Sequence, residues 1–182
     1  MPEPPPHSLD LVIDFVNTLD IEQETDELGA EGAAAWFVDA GLLAPEAEID
    51  EIDRRRALSL REALRSLMLT NNGGAPSEQA GQVLEEVART GELSVRFAVG
   101  GAATLAPRAE GFPGALARLL VPVASASGDG TWQRVKACRS PDCLWAFYDR
   151  SRNRSGVWCE MAVCGNRTKV RAYRSRGEKR RR

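Results

Sequence analysis

Four cysteines, the only ones in the chain, lie between residues 138 and 164 and form two pairs of equal spacing. Four residues separate Cys138 from Cys143, four separate Cys159 from Cys164, and fifteen lie between the two pairs. Zinc prefers thiolate ligands in proteins, and its structural sites commonly use two short cysteine pairs joined by a loop. Four thiolates leave no open position for a substrate. The pattern therefore predicts one structural zinc ion.

The segments around the cysteines predict a small zinc finger. Ser140-Pro141-Asp142 is a turn sequence inside the first pair, and Leu144 to Asp149 with the polar turn Ser151 to Gly156 predicts a hairpin between the pairs. A helix follows, beginning near Cys159 or Cys164, so the finger resembles a treble clef. About 50 residues rarely bury enough surface to fold without help. The expected aromatic core around the metal consists of Trp132, Trp145, Phe147, Tyr148 and Trp158.

Positive charge is concentrated in the same part of the chain. Residues 132–182 hold 15 Lys and Arg against 4 Asp and Glu, a net charge of +11. The remaining 9 basic and 22 acidic residues give the first 131 positions a net charge of −13. Such asymmetry is typical of a polyanion-binding end attached to an acidic region.

The basic residues of the finger form two groups. On a helix, Arg167, Arg171 and Arg174 would share one face, with Lys169 and Arg176 beside it. Val163, Val170 and Tyr173 would lie opposite, toward the zinc. The hairpin turn would present a second group, whose members can contact phosphates or base edges: Arg150, Arg152, Asn153 and Arg154. A solvated basic face with no ligand is the alternative.

Hydrophobic periodicity predicts a mainly helical region before the finger. We expect helices over residues 9–19, 33–43, 49–69 and 77–89. A half-buried strand at 93–99, a Gly100-Gly101 turn and a strand at 103–107 form a hairpin, and a helix begins near Pro113 and is bent or ended by Pro122. Ser125 to Gly130 reads as a flexible linker. The predicted fold class is α+β, with a domain at 1–125, a linker at 126–131 and the zinc finger with its basic helix and tail at 132–182.

Several function classes are not indicated. No apolar run approaches the roughly 20 residues that span a bilayer, and the start of the chain does not resemble a signal peptide, so we expect a cytoplasmic protein. His7 is the single histidine. Asp10 and Asp14 have no accompanying nucleophile, and no catalytic site is recognised. Asn17 is expected either to fix the fold or to contact a ligand.

The C-terminal motifs resemble a known family. The run from Trp145 to Ser155, followed by Trp158 to Met161 and by Cys164-Gly165-Asn166-Arg167, is similar to the CGNR zinc finger, which is named for those last four residues. Gly156-Val157 departs from the family, which usually has basic residues there. The segments Asp14 to Thr18 and Trp36 to Leu42 resemble the opening of the ABATE domain that precedes this finger in the family.

The resemblance implies a bacterial, stress-induced transcription regulator. Its finger would bind nucleic acid, with double-stranded DNA the expected partner. Its N-terminal domain would sense a small-molecule effector or form a homodimer. The alternatives are a zinc-dependent protein-interaction module and an RNA-binding protein.

Overall fold

The computed structural model describes residues 7–29 and 32–171. Within these ranges the helices are α1 (His7–Asn17), α2 (Ala33–Asp39), α3 (Glu51–Asn71), α4 (Glu78–Thr90) and α5 (Gly111–Asp129). Three antiparallel pairs of short strands are formed by β1 (Leu19–Asp20) with β2 (Thr25–Asp26), β3 (Ser94–Phe97) with β4 (Ala103–Ala106), and β5 (Val135–Ala137) with β6 (Ala146–Tyr148). A 3-10 turn (Trp132–Arg134) precedes β5, a π-helical turn (Met161–Gly165) follows the start of the second cysteine pair, and residues 166–171 are helical.

Side-chain caps and apolar faces account for the long helices. Asp50 accepts a hydrogen bond from the amide of Asp53 at the start of α3, and Ser77 accepts one from Ala80 at the start of α4; such caps satisfy amides that have no partner within the helix. Helices α1, α3 and α5 contact one another around the main core. The predicted α+β class, with a mainly helical N-terminal region, is confirmed. Helix α2 ends at Asp39, earlier than predicted, because Gly41 takes a positive φ of 68° and turns the chain.

The predicted hairpin is present, but its burial differs from the prediction. Strands β3 and β4 pair in register from Ser94 with Ala106 to Phe97 with Ala103. The apolar side chains of β3 were expected to be half-buried, yet Phe97 is 75% exposed. Apolar and polar residues alternate along β3 as in a strand that is covered on one side. Within the described residues, however, no other element covers the side of the hairpin that carries Val95 and Phe97.

Helix α5 corrects two predictions. It continues through Pro122 to Asp129, although a proline inside a helix costs about 3 kcal/mol. Leu119 and Leu120 before the proline and Val123 after it are buried in the main core, which outweighs that cost. Residues 126–129 of the expected flexible linker are therefore helical, and the helix ends at Gly130, whose φ is 78°.

The zinc finger is packed against the helical region. Trp132, Val135, Ala137 and Ala146 belong to the same buried core as the N-terminal helices, so Trp132 does not lie in a separate core around the metal. Strand β6 also pairs with β5 rather than with residues after the polar turn. The finger hairpin therefore encloses the first cysteine pair. The prediction that it lies between the two cysteine pairs is wrong. The division into domains stays a prediction.

Candidate metal centre and nucleic-acid interface

The four cysteine sulfurs converge on one point. All four lie within 4.8 Å of one another, with 3.6 Å between the sulfurs of Cys143 and Cys159 and 3.7 Å between those of Cys159 and Cys164. Zinc–sulfur bonds of about 2.3 Å in a tetrahedron place the sulfurs about 3.8 Å apart. The arrangement fits one structural zinc ion with no open position, as predicted.

Two tight turns bring the pairs together. The amide of Cys143 donates to the carbonyl of Ser140 at 3.0 Å, and the amide of Cys138 donates to that of Trp145 at 2.9 Å. In the second pair, the amide of Cys164 donates to the carbonyl of Glu160 at 3.0 Å. Trp145 and Trp158 pack against the sulfur cluster, so two of the five predicted aromatic residues lie at the metal centre.

Burial disfavours the thiolate forms of Cys159 and Cys164. It is the main reason that the pKa of Cys164 rises to about 12 and that the pKa of Cys159 also rises, with the neighbouring sulfurs contributing. Burial alone would raise the pKa of Cys138 too, but hydrogen bonds from the backbone at Cys159 and Ser140 outweigh it and lower that pKa. A divalent cation provides the positive charge that stabilises several thiolates in one cluster.

Three asparagines from the helical region bind the backbone of the finger. Asn17 forms two hydrogen bonds with Ala146 in β6, donating to its carbonyl at 3.0 Å and accepting from its amide at 2.7 Å. Asn71 donates to the carbonyls of Trp132 and Val135 at 2.8 and 2.9 Å. Of the two roles considered for Asn17, the contacts are those of a residue that fixes the fold.

Asn72, the third asparagine, and Arg65 extend this contact to the metal centre. Asn72 is buried and donates at 2.8 Å to the carbonyls of Ala137 and Val157, which lie just before the first and second cysteine pairs. Arg65, 2% exposed, donates to the carbonyl of Leu144 at 2.9 Å. Sequence reasoning missed both residues, because Asn72 lies beyond the predicted end of the helix at residue 69 and Arg65 is one of five arginines between residues 49 and 69. Polar residues on the apolar side of a helix were the available signal.

A buried ion pair fixes the polar turn of the finger. The Nζ of Lys136 lies 2.7 Å from the Oδ2 of Asp149 and also donates to the carbonyls of Arg154 and Gly156. Asp149 accepts from the amides of Ser151 and Gly156. Its burial alone would raise its pKa, but the hydrogen bonds from Lys136 and Ser151 lower the pKa to about 2. The buried side chains of Lys136 and Asp149 thus stabilise the conformation of the turn.

The fixed turn exposes the predicted basic residues. The four side chains are all exposed to solvent: Arg150, Arg152, Asn153 and Arg154. Arg154 donates to Gln133, a neutral partner, at 2.7 Å. Within residues 7–29 and 32–171, none of the three arginines lies within ion-pair distance of a carboxylate. Their charges are therefore open to a ligand on this side of the finger.

In contrast to the arginines of the turn, two arginines of the basic helix are paired with carboxylates. Arg167 forms an ion pair with Glu22 at 2.7 Å, and Arg171 forms one with Asp142. Lys169 is exposed, whereas Arg174 and Arg176, like Tyr173, lie outside the described residues. Glu22 is in the turn between β1 and β2, so the acidic region reaches the finger through this contact.

The expected apolar side of this helix is wrong for two residues. Val163 and Val170 are 41% and 48% exposed rather than packed toward the zinc. The chain forms a π-helical turn at Met161–Gly165 before the helix continues, and this shifts the angular positions that a regular α-helix predicts.

Together, the fold and the sulfur cluster define a zinc-finger protein whose finger shares its core with a helical N-terminal region. A family model described as "CGNR zinc finger" matches residues 134–177, and the ABATE model, described as "Putative stress-induced transcription regulator", matches residues 9–134. Because the second match covers more than half of the chain, the chain belongs to the ABATE family. Both resemblances seen in the sequence are thereby confirmed, and neither family is described as an enzyme.

No curated protein matches the chain. Across the described residues, no helix has both the length and the apolar character needed to cross a bilayer.

Proposed function

We propose that the protein is a cytoplasmic transcription regulator that binds double-stranded DNA through its zinc finger, with Cys138, Cys143, Cys159 and Cys164 each giving zinc one thiolate. The observation that carries the proposal is the fixed turn with its exposed cations. Loop residues usually lose conformational freedom when they bind. The Lys136–Asp149 ion pair holds the turn in place beforehand, which lowers that cost.

The turn has the chemistry for contacts with both backbone and bases. Arginine binds phosphate oxygens or the O6 and N7 atoms of guanine, and asparagine pairs with the N6 and N7 atoms of adenine. Arg150, Arg152 and Arg154 with Asn153 supply both types. Lys169 and Arg171 add phosphate contacts from the helix, with Arg174 and Arg176 continuing the basic pattern in sequence.

The ion pairs of the helix suggest how the acidic region affects binding. Phosphate would replace Glu22 as the partner of Arg167 and Asp142 as the partner of Arg171. Both arginines are partly exposed, and exposed pairs are weak, with a median of about 0–1 kcal/mol. DNA can therefore displace them at modest cost, and removing Glu22 should strengthen binding.

The N-terminal region would sense an effector or form a homodimer. A groove between α3 and α4, about 540 Å³ in volume and lined in part by Leu58, Ser66 and Val83, is our candidate effector site. Its volume lies within the range of about 300–1,000 Å³ that is usual for small-molecule sites.

A salt titration of DNA binding tests the proposal. Fluorescence anisotropy of zinc-loaded full-length protein with a labelled duplex measures how the logarithm of the affinity falls with the logarithm of the salt concentration. The steepness of this dependence should be about 0.9 for each phosphate that the protein neutralises. Arg150→Ala with Arg152→Ala should weaken binding and reduce the steepness by about 1.8. The matched control is Arg96→Ala, an exposed arginine of β3 outside the finger, which should leave both unchanged.

Glu22→Ala should raise affinity for the duplex at low salt, whereas Glu24→Ala in the same turn should not. If the double arginine variant keeps the wild-type salt dependence, the turn is not the binding surface. Equal affinity for single-stranded RNA would favour the RNA-binding alternative, and no binding to either nucleic acid would favour protein interaction.

A further inference from the structure

The β3–β4 hairpin carries an apolar face that the rest of the described chain does not cover. Val95 and Phe97 point to the same side of β3, since side chains alternate along a strand. Their cross-strand partners on that side are Leu105 and Ala103. Val95 is 55% exposed, Phe97 is 75% exposed, and Val99, within the turn, is fully exposed.

We propose that this face is the surface through which two copies of the chain form a twofold dimer. The proposal deepens the dimerising role given above to the N-terminal region and does not depend on DNA binding. Soluble proteins seldom expose a group of large apolar side chains on a short two-stranded sheet, which by itself is only marginally stable. Stacking two such sheets about 10 Å apart gives each the second layer that it lacks.

The charge of the hairpin favours a second copy over charged partners. Between residues 94 and 106 the only charged residue is Arg96, and alternation places it on the side opposite Val95 and Phe97. Nucleic acid or a strongly charged protein would find no counter-charge on the apolar face. A second copy presents a neutral apolar face of the same shape, and the twofold arrangement keeps the two Arg96 side chains away from the contact.

The exposed area indicates a weak and reversible dimer. Phe97 contributes roughly 150 Å² to the face, given that a phenylalanine buries about 150–250 Å² when fully covered. With the two valines, each copy would bury on the order of 350 Å², or about 700 Å² for the pair, whereas stable interfaces bury about 1,200–2,000 Å². The dimer should therefore form in the micromolar range or above unless DNA holds two copies together.

Sedimentation velocity of full-length, zinc-loaded protein without nucleic acid tests the inference. The wild-type protein should shift from monomer to dimer as its concentration rises. Phe97→Asp and Val99→Asp should each raise the dissociation constant at least tenfold, because each places a charge in the apolar contact. Val99→Asp lies outside the paired strands, so it remains informative if Phe97→Asp disturbs the hairpin.

The matched control is Thr104→Asp, which adds the same charge to the exposed opposite side of the same hairpin. It should change the dissociation constant by less than twofold. Wild-type protein that stays monomeric up to roughly 1 mM would overturn the proposal, as would a Thr104→Asp variant that dissociates as readily as Phe97→Asp. A failure of DNA binding would leave the sedimentation result unchanged, so the two proposals fail separately.

Discussion

Replacing Asn72 with alanine should weaken zinc binding although Asn72 does not touch the metal. Its side-chain amide donates to the carbonyl of Ala137, next to Cys138, and to the carbonyl of Val157, two residues before Cys159. One amide group therefore fixes the spacing between the backbone segments that carry the two cysteine pairs. Without it, only the amide of Arg139, which donates to the carbonyl of Val157 at 3.4 Å, and the Nζ of Lys136, which donates to the carbonyl of Gly156 at 3.0 Å, still join the two segments here. Their spacing is therefore less restricted before the metal binds.

The size of the effect follows from the two hydrogen bonds that the substitution removes. A buried carbonyl left without a donor costs about 1–3 kcal/mol, and Asn72→Ala should lower the free energy of unfolding by about that much through the carbonyl of Ala137, because the carbonyl of Val157 keeps the amide of Arg139 as a donor at 3.4 Å. For a protein of this size, the melting temperature falls by about 2–4 °C per kcal/mol. Residues that orient metal ligands typically contribute 10–100-fold to metal affinity, and we expect a decrease in that range.

Competition with a chromophoric zinc chelator measures the affinity, and a thermal melt measures the stability. Asn71→Ala is the matched control, because Asn71 also donates to two finger carbonyls, those of Trp132 and Val135, but neither lies next to a cysteine. It should lower the melting temperature while changing zinc affinity by less than about threefold. Wild-type zinc affinity in Asn72→Ala, or an equal decrease in Asn71→Ala, would refute the reasoning.

Three further predictions concern the finger and its core. Gly156→Ala should destabilise the protein in a thermal melt, because a Cβ there would lie 2.7 Å from a carboxylate oxygen of Asp149, whereas Gly128→Ala in the exposed last turn of α5 should not. At neutral pH the free energy of unfolding of the wild-type protein should be about 2 kcal/mol larger than that of Asp149→Asn. This difference should shrink as the pH falls from 3.8 toward 2, because the pKa of Asp149 is lowered from 3.8 to about 2. Removing zinc with a chelator should lower the melting temperature, and calorimetry should still show a single unfolding transition. The finger and the helices should unfold together because Val135 and Ala146 of the finger are buried in the main core; two separate transitions would contradict this.

The local features of the fold could be read from the sequence because they depend on neighbouring residues. The apolar period of α3 places the start of that helix within two residues of its observed start. Four cysteines in two equally spaced pairs indicate zinc whatever the surrounding fold, since two short cysteine pairs are the usual ligand pattern of structural zinc sites. Gly100-Gly101 marked the β3–β4 turn for the same local reason.

The remaining features depend on residues far apart in the chain. Nothing near Asn72 indicates that its partners lie at Ala137 and Val157, and nothing near β6 indicates that its partner strand precedes the first cysteine pair. The polar composition of residues 125–130 suggested a linker, but Val123 and Ala126 are buried on the inner side of α5. Burial contributed by another part of the molecule decided these cases, and a single sequence does not carry that information.

The hydrogen bonds from the helices change how the finger should be understood. A finger joined by a free linker would act alone, and its zinc would report only on its own folding. Here Asn17, Arg65, Asn71 and Asn72 bind its backbone, and its strands complete the core of the helical region. A ligand that moved the end of α3 would shift Asn72 and therefore the segments that hold both cysteine pairs. The groove between α3 and α4 lies along the same helix, so an effector bound there would have a direct physical path to the metal centre and the turn beyond it.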